Sequence, residues 1–123
     1  MSSIQVADQT FIAASPERVA ELLAPPLKWR RWWPDLRLDV RENRGEAGIR
    51  WGVGGALDGT MEVWLEPVMD GTVAHYFLHA EPPAGSNLDL VAANRRRRVG
   101  GKAMSFELKR ELEAGREAGV APA

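Results

Sequence analysis

Hydrophobic and polar positions change period several times along the chain, and each change predicts an element. From Ile4 to Ala14 β-forming side chains dominate (Ile4, Val6, Thr10, Phe11, Ile12). Ser15-Pro16-Glu17 then supplies an N-cap, a proline suited to the first helical position and a first-turn acid. A strand therefore runs into a helix of about two turns, with Val19, Leu22 and Leu23 on its buried face and Pro25-Pro26 as its stop. Leu27 to Trp33 predicts a second short helix or turn that ends at Pro34 and carries Trp29, Trp32 and Trp33. Leu36, Leu38 and Val40 alternate with Arg37, Asp39 and Arg41, the period of a strand wet on one face. Asn43 to Gly48 is turn chemistry. Ile49, Trp51 and Val53 alternate with Arg50, Gly52 and Gly54, a strand whose second face is nearly bare, and Gly54-Gly55 predicts a bulge or bend.

The strongest pairing signal lies around Asp70-Gly71. Asp-Gly favours the two central positions of a type I′ hairpin turn, so paired residue numbers should sum to 141. That register sets Glu66 opposite His75, Trp64 opposite Phe77 and Glu62 opposite His79 on one face. On the other it sets Leu65 with Tyr76, Val63 with Leu78 and Met61 with Ala80. One face is apolar apart from a phenol, and the other alternates charge with aromatic rings, so pattern and turn agree. Asp58-Gly59 suggests a further tight turn, but its pairing would bring Trp51 and Val53 beside Glu62 and Trp64, which leaves that register open.

Pro82 to Asn87 reads as a loop, and from about Leu88 to Glu117 the chain reads as one long helix. Gly100-Gly101 weakens it by about 1 kcal/mol each relative to alanine. Leu90, Asn94, Arg97, Gly101, Met104, Leu108, Leu112 and Gly115 recur on one side at helical spacing. The C-terminal half of that side is a core stripe. The N-terminal half, with an amide, a guanidinium and a glycine, suits a polar or open region. Val99 and Phe106 fall on the opposite side, against the tryptophan-rich segment or a second subunit, and Glu117 to Ala123 is expected to fray.

Composition narrows the chemistry. A chain of 123 residues allows one compact domain, and 45% hydrophobic with 27% charged residues is a globular composition. With no cysteine and two histidines, thiol chemistry and thiolate metal sites are excluded, and neither a metal nor a cofactor is expected. The N-terminus lacks a basic region followed by an apolar run, and no segment reaches the roughly 18–20 apolar residues of a membrane span. A cytoplasmic protein without stable membrane insertion is the expectation. The net charge of −1 hides a division: residues 1–84 hold 8 basic and 12 acidic side chains, and residues 85–123 hold 8 and 5. Five of the nine aromatic residues are tryptophan, which points to an aromatic-lined pocket or interface.

One strand, two short helices, antiparallel strands and a long last helix make the order of a helix-grip α+β fold. The residues from Ile12 to Val19, the cluster Trp29, Trp32, Trp33-Pro34, the run Gly59 to Pro67, Asp70-Gly71-Thr72 and Leu108 to Glu113 together resemble the START-like (SRPBCC) superfamily. The likeness is to its bacterial polyketide cyclase/dehydrase and lipid-transport group. It implies a curved antiparallel sheet of about five to seven strands wrapped around the C-terminal helix, with a cavity for an apolar small molecule between them. This chain has sequence for about five strands, which implies a smaller or more open cavity, or none, and an exposed sheet edge that a second subunit could cover.

On that reading the ligand, polyketide-like or lipid, meets Met61, Val63, Leu65, Tyr76 and Leu78 from the sheet and Gly101, Met104 and Leu108 from the helix. Trp29, Trp32 and Trp33 stand at the mouth, and Asn94 and Arg97 supply polar contacts. Arg97 meets a ligand anion or pairs with an acid such as Asp58 or Glu62. Tyr76, the one tyrosine, is the candidate proton donor should the protein be a cyclase/dehydrase-type enzyme. His75 and His79 lie on the charged face as cross-strand partners of carboxylates, and their parallel projection does not converge on a metal. Trp51 and Trp64 serve as cavity wall, sheet packing or interface, the last making a homodimer without a cavity. Arg95 to Arg98 point about 100° apart around a helix, so the run forms no stripe of its own, and nucleic acid is not an expected partner.

Overall fold

In the computed structural model, which describes residues 2–114, local signals act much as the sequence predicts. The Ser15 hydroxyl accepts a hydrogen bond from the Arg18 amide at 3.3 Å and starts helix α1 (Pro16–Leu23) immediately after strand β1 (Ile4–Ile12). Pro25-Pro26 separates α1 from α2 (Pro26–Trp32), and Trp33 caps α2 through its amide to the Trp29 carbonyl at 2.8 Å. Strand β2 (Leu36–Asn43), a single 3-10 turn at Gly45–Ala47, and strands β3 (Gly48–Gly55), β4 (Asp58–Val68) and β5 (Gly71–Glu81) follow. The chain then forms α3 (Leu90–Leu112). The fold is a helix-grip α+β arrangement: among the described residues five antiparallel strands in the order β1-β5-β4-β3-β2 hold α3 against their inner face.

The hairpin between β4 and β5 keeps the predicted faces but not the predicted register. Met61 pairs with Leu78, Val63 with Tyr76 and Trp64 with His75, so partners sum to 139. The turn residues are Met69 and Asp70, with Met69 alone at positive φ (54°). Gly71 is needed elsewhere: it opens β5 where the Ile12 carbonyl and the Phe11 ring press against it, and a Cβ there would overlap both. Moving the turn centre by one residue shifts each partner by two, which preserves the side-chain faces.

Asp58-Gly59 is likewise no turn. Both residues lie in β4, Gly59 opposite Val53, and Trp51 pairs with Met61 on the inner face. Gly55 ends β3, and the register shift falls in β2 instead, between Val40 and Glu42. At the far end Asp89, not Leu88, bounds α3: its carboxylate accepts from the amides of Val91 at 3.0 Å and Ala92 at 3.2 Å. The helix stops at Leu112 with Glu113 as its cap, short of the predicted Glu117; Gly115 and the tail expected to fray lie outside the described residues.

The core is the inner face of the sheet plus one side of α1, α2 and α3. Ile4, Leu23, Trp51, Val63, Leu78, Met104 and Leu108 are among its fully buried side chains. Val99 and Phe106 meet neither the tryptophan segment nor the core and are exposed on α3.

One feature of α3 lies beyond what periodicity encodes. Its side chains bond the free backbone edge of β1 in sequence order. Asn94 accepts from the Gln5 amide at 2.9 Å and donates to the Ser3 carbonyl at 3.0 Å. Lys102 donates to the Gln9 carbonyl at 3.3 Å, and Lys109 to the Phe11 carbonyl at 2.9 Å. Glu113 accepts from the Ala13 amide at 2.8 Å. All five backbone groups sit at odd positions, as alternation requires of residues facing away from β5. The lengths agree too: helix from 94 to 113 rises about 28 Å and strand from 3 to 13 about 33 Å.

Candidate functional site

Between the N-terminal half of α3 and the sheet the fold places an aromatic cluster. The short α2 delivers Trp29, Trp32 and Trp33 within one turn and a half, because Pro26 starts it and Pro34 prevents its continuation. Trp29 donates its indole N–H to the Leu23 carbonyl at 2.6 Å and meets Trp51 edge-on, with ring centroids 5.2 Å apart. Trp33 touches Trp51 at 5.7 Å, Trp32 at 5.6 Å, and stacks nearly parallel to Tyr76 at 6.1 Å. Tyr76 donates its hydroxyl to the Met61 sulfur at 3.3 Å. Its ring fills the place a side chain would take at Gly101, so that glycine is the contact through which α3 admits Tyr76.

Met61, Val63, Leu65, Tyr76, Leu78, Met104 and Leu108, the residues expected to line a cavity, are all buried and packed in one cluster with Trp29 and Trp33. Trp33 and Tyr76 stack on each other within this cluster. Burial pushes the Tyr76 phenol well above its ordinary value, with the nearby Arg97 charge and Trp33 indole opposing. Such a phenol keeps its proton and serves as a hydrogen-bond donor.

Arg97 closes this cluster at its open end. It makes a two-pronged ion pair with Asp35, at 3.0 and 2.6 Å, and Arg96 adds a longer contact at 3.4 Å. The partner is therefore neither Asp58 nor Glu62, which lie on β4; Glu62 pairs with Arg44. Hydrogen bonding to Arg97 holds the Asp35 carboxyl below the usual carboxylate range against the opposing cost of burial. Beside this pair lies a cleft of about 240 Å³ with walls of Leu57, Leu88, Ala92 and Ala93 and a polar side formed by Asp35, Asp89, Arg96 and Arg97. Two further ion pairs tie α2 to α3: Arg31 with Glu107 at 2.7 and 2.6 Å, and Lys28 with Glu111 at 3.5 Å. The Arg31 hydrogen bonds keep the Glu107 carboxyl below its ordinary value.

Asn94 is not part of this site; the β1 edge holds it, one helical turn before Arg97. His75 sits on the outer face, bonded diagonally to Glu66 at 3.0 Å and stacked on Trp64 at 4.4 Å and Phe77 at 6.2 Å. His79 is exposed on the same face. Sequence reasoning missed Asp35, Leu57, Leu88, Ala92 and Ala93. Asp35 had a readable signal, since a guanidinium on a core-facing stripe needs an acid and Asp35 directly follows the tryptophan cluster.

No family model and no curated protein sequence matches the chain. Solved structures do. The solution structure of the Aha1 dimer from Colwellia psychrerythraea aligns with a TM-score of 0.63 at 18% identity, over 93% of this chain and 99% of that one. CalU16 from Micromonospora echinospora aligns at 0.62 and 14%, over 88% and 78%. DynU16, a protein of the dynemicin biosynthetic locus, aligns at 0.66 and 15%; it covers 91% of this chain, which spans about half (48%) of DynU16. The shared fold is the helix-grip α+β fold, here with five strands among the described residues.

Proposed function

We propose that the protein binds a small apolar or aromatic molecule, polyketide-like or lipid, at the cleft beside Arg97. The observation that carries this reading is the cleft itself: the apolar side chains of Leu57, Leu88, Ala92 and Ala93 meet the charged groups of Asp35, Asp89, Arg96 and Arg97, and the Arg97 charge acts on Tyr76, which stacks on Trp33. A few placed polar groups in an apolar recess are what ligand sites share. Its 240 Å³ lies just under the roughly 300 Å³ at which drug-sized pockets begin. A single ring or the end of an acyl chain therefore fits as the site stands. A polycyclic ligand needs α2 to move, releasing the Arg31-Glu107 and Lys28-Glu111 pairs and turning Trp33 off Tyr76. Trp29, Trp32 and Trp33 then form the mouth, and the buried inner face its lining. Tyr76 serves as a hydrogen-bond donor in this reading. A cyclase/dehydrase reaction through it would be revealed if Tyr76→Phe lost turnover on a supplied substrate.

Titration of tryptophan fluorescence with fatty acids and with mono- and polycyclic aromatics tests the proposal. Saturable binding that Ala92→Trp, a plug in the cleft, weakens at least about tenfold is the expected result. Failure of every ligand to bind, or indifference to the plug, would overturn it. That Aha1 is a dimer, together with the exposed Trp64 beside His75 and Phe77, supports a second reading in which the outer face of the sheet joins two copies. Sedimentation of wild type against Trp64→Ser distinguishes a dimer through this face from a monomer.

A further inference from the structure

We propose that the outward face of α3 docks the protein on an anionic lipid surface. The helix carries seven cationic and two anionic side chains, a net +5 in a chain whose net charge is −1. At about 100° per residue the core-facing residues Arg97, Gly101, Met104 and Leu108 cluster on one side, and Val91, Arg95, Arg98, Val99, Lys102, Phe106, Lys109 and Arg110 share an arc of about 120° opposite. Neither acid of the helix lies in that arc; Glu107 and Glu111 face Arg31 and Lys28 of α2.

The cations of the arc divide into two sets. Lys102 and Lys109 are committed, the first to Asp8 and Thr10 and the second to Phe11 and Glu113. Arg95, Arg98 and Arg110 have no ion-pair partner among the described residues. Interleaved with them are Val91, Val99 and Phe106, which are 82%, 62% and 49% exposed. Bare arginines alone would suit any polyanion. Large apolar side chains set between them are of no use against a phosphate backbone, but they enter the headgroup region of a bilayer while the guanidinia hold lipid phosphates. The arrangement fits a helix lying on the surface, since no described helix is long and apolar enough to cross a membrane.

This face adjoins the cleft. Ala92, Asp89 and Arg96 border the cleft on one side and, on the other, a shallow groove of about 440 Å³ that runs to Val91, Arg95 and Val99. A docked molecule would hold the cleft at the lipid surface, where apolar ligands partition.

Co-sedimentation of the full chain with vesicles, without any small-molecule ligand, tests this independently of the ligand reading. Vesicles of phosphatidylcholine with phosphatidylglycerol should pellet the protein at low salt, and vesicles of phosphatidylcholine alone should not. The triple variant Arg95→Gln, Arg98→Gln, Arg110→Gln should bind at least about tenfold more weakly, and Val99→Ser with Phe106→Ser should also weaken binding. All five positions are exposed, so each variant should keep its helix, which circular dichroism checks. No binding to the mixed vesicles, or equal binding by the triple variant, would overturn the proposal. Competition by duplex DNA together with indifference to the Val99 and Phe106 changes would overturn it in favour of a nucleic-acid surface.

Discussion

The two halves of α3 meet the sheet under different rules. Beyond Gly101, the core-facing side chains Met104 and Leu108 are fully buried and purely apolar, while Lys102, Lys109 and Glu113 bond the edge of β1 beside them. Before Gly101, Arg97 is nearly as buried, but its guanidinium is matched by Asp35 and it borders a cleft. The half beyond Gly101 brings fully buried apolar side chains to the core, and the half before it brings a charged pair to the edge of a cleft. The strength of an ion pair depends on geometry and on protonation, whereas a packed methylene is indifferent to both.

Truncating the dry half should have the largest effect. Leu108→Ala leaves a cavity in a fully buried site and should cost about 2–5 kcal/mol in urea denaturation. Gly101→Ala, at the boundary, drives a methyl into the Tyr76 ring and should cost about 1–3 kcal/mol. A double-mutant cycle with Tyr76→Leu should recover most of that cost, whereas additivity would mean that the ring is not the obstacle.

The open half should reveal itself through pH. The Asp35 carboxyl is held below its ordinary value, so the stability it contributes is fully present above the unfolded value of about 4 and is lost as pH falls toward the folded one. Asp35→Asn should be less stable near neutrality and should lose less on acidification below about pH 4; parallel curves would assign the acid sensitivity elsewhere. The smallest effect belongs to Asn94→Ala, about 1 kcal/mol, seen as faster hydrogen exchange at the Gln5 amide.

The order of elements, the faces of the strands and the core stripe of α3 were legible in the sequence because they depend on periodicity and caps, which are local. The turn at Met69-Asp70 was not, because Gly71 is required by its approach to β1, a neighbour about sixty residues away in the chain. Arg97 was legible as a residue needing a partner, and Asp35 as that partner was not, since the pair spans α3 and the start of β2. The expected lining residues do gather in one place, but volume decides whether they enclose space, and pattern carries no volume. The stacking of Trp33 on Tyr76 within that cluster is likewise a matter of tertiary packing.

The stitching of β1 by α3 has a consequence in time. The backbone groups along the outer edge of β1, near the beginning of the chain, receive their partners from side chains 89 to 100 residues later. A growing chain therefore presents an unfinished strand edge until α3 and Glu113 have been synthesised. Closure of such distant contacts is slow. The edge of β1 is where a chaperone would find its longest opportunity, and where a truncated chain would be most prone to associate with another.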